Sequence, residues 1–267
     1  MPNGKCSLCL QTKEIVSSHL IPAAAYKHLR SENSEPLLIS STKAVQTSRQ
    51  IQYPLLCLEC EGLLNREGEN WLLPLLATVK GTFPLHEILA NGEPGIEIGK
   101  AKLYAAARNP AIDVEKLAHF ATGVFWKASV HSWGIANRRE SLINLGKYGE
   151  PIRQYLRGEA VFPQKTALAI AVLPASASEI SFFTPRLSSK GEYHLYTFYL
   201  LGIQFMLLAG NCVSREEKEV CFVSNPAHPI LVDDFSERLI KNQFIPMLAG
   251  AKKSPNLIKY FERLRNR

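Results

Sequence analysis

The chain carries two Cys-x-x-Cys pairs near its start, Cys6-Ser7-Leu8-Cys9 and Cys57-Leu58-Glu59-Cys60. No other feature constrains its fold as strongly. Each pair turns two sulfurs toward one point. Two such pairs supply the four-thiolate set of structural Zn²⁺ sites, with Zn–S bonds of about 2.3 Å. The alternatives are disulfides, which the cytosol disfavours, and a redox pair, which stands alone at a helix start after a strand. A closed four-sulfur site contributes folding energy and leaves no coordination position open for chemistry. The 47 residues between Cys9 and Cys57 exceed a minimal zinc ribbon and predict a structured insertion. Cys212 and Cys221 stand apart from this set and read as buried thiols.

Any chemistry must therefore come from side chains that the cysteines hold in place. Two segments qualify. One is Ser18-His19-Leu20-Ile21-Pro22; the other is the polar run Glu61, Asn65, Glu67, Glu69 and Asn70 after the second pair. On a helix starting near Glu61, residues 61 and 65 share a face, as do 65 and 69. A histidine beside carboxylate and amide oxygens can place an activated water next to a hard cation such as Mg²⁺. The plainer readings are a packed histidine, a carboxylate favoured by the helix N-terminus, and the polar face of a helix burying Leu63, Leu64, Trp71 and Leu72.

Charge locates little more. Lys and Arg number 31 against 24 Asp and Glu, a net of +7. Residues 1–80 are nearly balanced, with 8 basic and 7 acidic side chains, whereas 241–267 hold 7 basic and 1 acidic. That tail, ending in Lys259, Arg263, Arg265 and Arg267, reads either as a polyanion attractor or as a solvated helix end. A hydrophobic content of 46% with 21% charged residues excludes extensive disorder. The longest apolar run, 195–210, is broken by Thr197, Gly202 and Gln204 and is too short to be a good membrane span. The Met1-Pro2-Asn3-Gly4 start lacks the apolar stretch of a secretory signal. The expectation is a soluble, cytoplasmic protein with no membrane partner.

Periodicity divides the chain at about residue 80, where a Gly/Pro-rich stretch follows. Residues 114–133 have helical spacing, with Asp113 as N-cap and Gly134 as stop. Short apolar runs at 166–173, 179–183, 195–201, 203–208 and 219–223 suit antiparallel strands, and 232–242 is helical. On this helix 114–133, His119, Trp126, Lys127 and His131 read as parts of an amphipathic core helix. The aromatics of 182–205 read as sheet core, since no Lys or Arg is interleaved as in a base-stacking platform. The expected class is α+β: a zinc-bound finger in 1–80, then an α+β domain in 81–267 with a helical segment and a small, mostly antiparallel sheet with helices.

The residues of the finger also carry a resemblance. Cys-x-x-Cys, Ser18-His19-Leu20-Ile21-Pro22, and Leu55-Leu56-Cys57-Leu58-Glu59-Cys60-Glu61 together resemble the four-cysteine branch of the HNH endonuclease family. Within it they are similar to the group reading Ser-His-x-Ile-Pro followed by Leu-Cys-x-x-Cys-Glu. The resemblance spans about residues 5–72. It implies a ββα-metal, or treble-clef, finger with Cys6, Cys9, Cys57 and Cys60 as structural zinc ligands. It implies His19 as the general base, Gln52 at the middle-asparagine position that orients it, and Glu61 as a ligand of a catalytic Mg²⁺ or Mn²⁺. The sequence departs from the family in Ser18, where an acidic ligand is common, in Gln52 and in Glu61. With Ser18 uncharged, the cation would rest on Glu61 and on Asn65 or Glu69.

Two functions stay open at this point. One is a metal-dependent endonuclease that hydrolyses phosphodiesters of DNA, in preference to RNA, in bacterial genome defence against phage. The other is a catalytically inactive zinc-finger scaffold that binds nucleic acid or a partner protein. Lys27, His28 and Arg30 after the Ser-His-Leu-Ile-Pro turn, and Gln46, Ser48, Arg49 and Gln50 before the second knuckle, could meet phosphates or form a solvated face. Residues 81–267 would bind substrate, a protein partner or a second copy of the chain.

Overall fold

The computed structural model describes residues 2–29, 37–39, 43–46, 50–78, 80–133, 142–177, 181–211, 213–250, 252–253 and 258. Arg30, Ser48, Arg49, Gly134, Cys212 and the terminal basic residues from Lys259 onward lie outside them.

The finger begins with β1 (Asn3–Lys5), the first cysteine turn and β2 (Thr12–His19), followed by α1 (Ala25–His28), β3 (Leu37–Ile39) and β4 (Lys43–Gln46). Strand β5 (Gln52–Cys57) runs directly into α2 (Leu58–Leu64), a π-helical turn at Asn65–Glu69, and α3 (Asn70–Leu72). Strands β1, β2 and β5 form one antiparallel sheet. The register slips between Val16 and Ser17, where Leu55 of β5 is the extra, bulged residue. On β2, Ile15 and Ser18 are buried while Ser17 faces solvent.

The remainder begins with α4 (Pro84–Ala90), β6 (Ile96–Ile98), β7 (Ala101–Ala105), α5 (Val114–Val130) and α6 (Gly149–Leu156). The chain then forms β8 (Thr166–Val172), β9 (Phe182–Lys190), β10 (Tyr193–Leu200), β11 (Ile203–Gly210), α7 (Arg215–Glu219) and β12 (Pro229–Val232). It ends in α8 (Ser236–Leu239), a second π turn, α9 (Ile245–Gly250) and β13 (Lys252–Lys253), which pairs with β4. The main sheet has the order β6-β7-β12-β8-β11-β10-β9, antiparallel except where β12 meets β8. The protein is thus α+β. No helix among the described residues is long and apolar enough to cross a membrane.

Several local expectations hold. Asp113 caps α5 by accepting the Lys116 N–H at 3.0 Å, and 166–173, 195–201 and 203–208 fall on strands. Two do not. Residues 219–223 close α7 and form an isolated bridge from Val223 to Leu168 instead of a strand. The capping box of Ser214 and Glu217 gives that segment a helical start that outweighs its short apolar run. Val232 belongs to β12, and the terminal helix begins at Ser236.

Helix α5 sits between finger and sheet, and every residue from Leu117 to Ala128 is buried. Phe120 and Phe125 pack on Phe198, which stacks on Phe205 with centroids 4.5 Å apart. On the other side, Gly68 of the π turn lies so close to Phe120 that a Cβ there would be 2.8 Å from its backbone nitrogen. One hydrophobic cluster runs from Cys6 through α5 to Val232.

Candidate functional site

The two cysteine turns converge. Cys57 is the N-cap of α2 and Cys60 lies in its first turn. The first turn is closed by Cys6 N–H to Gln11 O and Leu10 N–H to Cys6 O, both 2.9 Å, with Leu10 held at φ 64°. The Cys57 N–H donates to Cys6 Sγ at 3.3 Å. All four sulfurs lie within 4.8 Å of one another, and Cys9 and Cys57 are 3.9 Å apart. Sulfurs at the corners of a tetrahedron with bonds of about 2.3 Å are separated by about 3.8 Å. This cluster can hold a metal ion. The crowding is visible in the thiols themselves: the hydrogen bond with Cys60 draws Cys6 down to about 4, while Cys60 is driven up.

His19 ends β2, half-buried, directly across the ladder from Gln52. Gln52 is exposed, and its carbonyl oxygen accepts from the Ser17 hydroxyl at 3.2 Å. Among the described residues it makes no hydrogen bond to the His19 ring. Ser18, one residue earlier, is fully buried. It faces α2, whose Glu61 is close enough for the hydroxyl to favour the charged carboxylate. Neither Ser18 Oγ nor Glu61 Oε2 attains hydrogen-bond geometry with any group, and both atoms are buried. Burial pushes the Glu61 carboxyl above its usual range and Glu69 adds to this, while Lys127, Ser18 and His19 oppose it.

Lys127 completes the cluster, and sequence reasoning missed it. Its ammonium donates to the His19 backbone carbonyl at 2.8 Å and to Glu69 Oε1 at 3.0 Å. Its side chain is 2% exposed. The signal was present in the spacing: Lys127 falls three residues after Val124 and seven after Phe120, on the stripe of α5 that must be buried. The neighbouring gap, lined by Leu64, Glu69, His119, Phe120, Gly123 and Lys127, is too narrow to admit a water molecule. His119 bonds to the Leu156 carbonyl through Nε2, and its Nδ1 is buried without a partner.

The other expected site residues are more scattered. Lys27 is exposed on α1, shortly after His19. Asn65 opens the π turn, half-buried; its backbone N–H donates to the Glu61 carbonyl, and among the described residues the two side chains share no metal-binding cluster. Apart from the four cysteines, no three His, Cys, Asp or Glu residues among the described residues converge on a metal position.

Compared with known proteins, the chain matches no family model, no curated protein and no solved structure.

Proposed function

We propose that residues 1–80 form a treble-clef finger of the HNH type, with zinc bound by Cys6, Cys9, Cys57 and Cys60, and that it hydrolyses phosphodiester bonds of nucleic acid, DNA before RNA. One observation carries this reading. The hairpin of β2 and β5 and the helix α2, stapled by four sulfurs, bring the end of β2, with Ser18 and His19, beside Glu61. Zinc suits the cysteines because Zn²⁺ takes four thiolates in a closed tetrahedron.

Ser18 Oγ and Glu61 Oε2, buried and unpartnered, are hard oxygens of the kind that would hold a Mg²⁺ or Mn²⁺ ion. When bound, such an ion would supply positive charge against the developing phosphorane. His19 would accept a proton from the attacking water at an imidazole nitrogen as the new P–O bond forms and the bond to the leaving sugar oxygen breaks. Lys27, exposed on α1 shortly after His19 in the chain, would meet a flanking phosphate. A role in bacterial genome defence belongs to the same reading.

A second reading has specific support. Lys127 and Glu69 satisfy each other in the interior, and Gln52 is engaged with Ser17 instead of His19. A finger arranged so could be an inactive scaffold for nucleic acid or a partner protein. Plasmid nicking by zinc-loaded protein separates the two. The nuclease reading expects cutting that requires added Mg²⁺ or Mn²⁺ and disappears in His19→Ala. Intact plasmid, or cutting that survives His19→Ala, leaves the scaffold.

A further inference from the structure

Lys127 has no part in the hydrolytic scheme above, yet its side chain is only 2% exposed and its ammonium is doubly bonded. A lysine ammonium is not left inside a protein without partners, because the desolvation penalty is several kcal/mol. Both partners of Lys127 are on the finger: the carbonyl of His19, 108 residues away in sequence, and Glu69, 58 residues away. Packing alone does not call for an ion pair here. Apolar side chains of similar volume at two such positions are commonly neutral or stabilising. What an apolar pair could not do is donate a hydrogen bond to the backbone of residue 19.

A second contact repeats the pattern. Arg153 of α6, its side chain 12% exposed, donates through Nη1 to the carbonyl of Leu8 inside the first cysteine turn. Two cations from the remainder thus grip backbone carbonyls of the finger, one at the zinc turn and one at the end of β2.

We propose that Lys127 is a positioning residue of the reaction centre, fixing the His19 backbone and Glu69 from α5, so that the site is shared between the finger and residues 81–267. This deepens the nuclease reading and rests on it. The ammonium touches no reacting atom. It acts by holding the strand end that carries His19 at a set depth over α2, and a shift of about 1 Å in such a group can cost about a hundredfold in rate.

The test uses full-length, zinc-loaded protein with Lys127→Arg, Lys127→Met and the double variant Lys127→Met/Glu69→Met. Lys102→Ala, which breaks a surface pair with Glu97, is the control. Three readouts are taken: kcat and KM for plasmid nicking, thermal melting, and the NMR signals of the His19 ring. Lys127→Met alone strands Glu69 and is expected to melt early. The double variant removes both charges and is expected to melt near the wild type, with kcat lowered about tenfold or more, KM little changed and the His19 signals displaced. Lys127→Arg, which keeps a cationic donor, is expected to recover part of kcat. Should the double variant not fold, Lys127→Gln, with a neutral N–H donor, is judged by the same criteria.

A folded double variant that cuts at the wild-type rate overturns the proposal and leaves Lys127 a structural residue. If the wild type itself does not cut, the nuclease reading fails, and the His19 signals decide the other question. Undisplaced signals overturn the positioning role, and displaced ones sustain it.

Discussion

Gly68→Ala tests how tightly the finger is seated on α5. Gly68 lies in the π turn that follows α2, and a Cβ there would sit 2.8 Å from Phe120 N and 2.9 Å from its Cα and Cβ. Ordinary van der Waals contact begins at 3.4 Å. The obstacle is the backbone of a buried helix, so no side chain can swing aside. Helix propensity alone would favour Ala over Gly by about 0.8–1.0 kcal/mol. Forcing a methyl into a packed interface typically costs about 1–3 kcal/mol. The two leave a net destabilisation of about 1 kcal/mol, or a fall in Tm of about 2–4 °C for a chain of this size. Propensity acting alone would raise Tm by a similar amount, so the sign discriminates. Thermal melting followed by circular dichroism is sufficient. Glu69 is the next residue, so the retreat of the π turn also pulls at the Lys127 bond, and the same variant should cut more slowly. A Tm at or above the wild-type value would refute the close approach on which the seating of the finger depends.

Three further outcomes follow from single observations. Cys6→Ser removes one of four converging thiols; against apparent zinc affinities of about 10–16 kcal/mol for such sites, it should abolish one-to-one zinc retention in metal analysis and lower the melting temperature. Asp113→Ala removes the side chain that accepts the Lys116 N–H, and urea unfolding should show a loss of about 1 kcal/mol. His119 is held neutral, its pKa lowered from 6.5 by burial, against the opposing pull of the Leu156 carbonyl, Glu67 and Glu69. The unfolded chain therefore binds the extra proton first, so stability is full above 6.5 and falls as pH drops from there through the lowered value. His119→Gln should flatten that slope in melting curves taken between neutral pH and about pH 5; an unchanged slope would assign the dependence to other groups.

The parts of the fold legible in the sequence are those fixed by local chemistry. The Cys-x-x-Cys turns, the Asp113 cap and the apolar runs of β8, β10 and β11 depend on neighbours a few residues away. The parts that were not legible depend on partners far along the chain. Val232 has the hydrophobic spacing of a helix start, yet it pairs with Lys102 of β7 and Val172 of β8. The run after Cys60 reads as one uninterrupted α-helix. It contains a π turn instead, at the point where Gly68 lets α5 approach, and π turns often mark functional positions. Glu61, Glu69 and Ser18 are each visible as polar residues near His19. The residue that ties Glu69 to the His19 backbone is not, because Lys127 belongs to a helix whose spacing announces only a core.

The burial of α5 gives the clustering of these residues a mechanical meaning. Phe120 and Phe125 lock one side of the helix to the aromatic face of the sheet. Leu64 of α2 and Leu156 of α6 close on Gly123, where even a Cβ would meet them only at ordinary contact distance. Lys127, two turns beyond Phe120, is the only Lys, Arg, Asp or Glu that is buried among the described residues, and its ammonium is spent on the finger. A helix packed on all sides moves as a body, since close-packed interiors transmit displacement and do not absorb it. Any ligand that favours one position of the sheet over another must therefore favour one position of Lys127, and with it one depth of the His19 backbone. On this geometry the finger and the α+β remainder cannot be tuned separately. On the nuclease reading proposed above, a substitution in the Phe120, Phe198 and Phe205 stack that leaves the four-cysteine cluster intact should still alter cutting, and it should do so through kcat, because all three rings are buried.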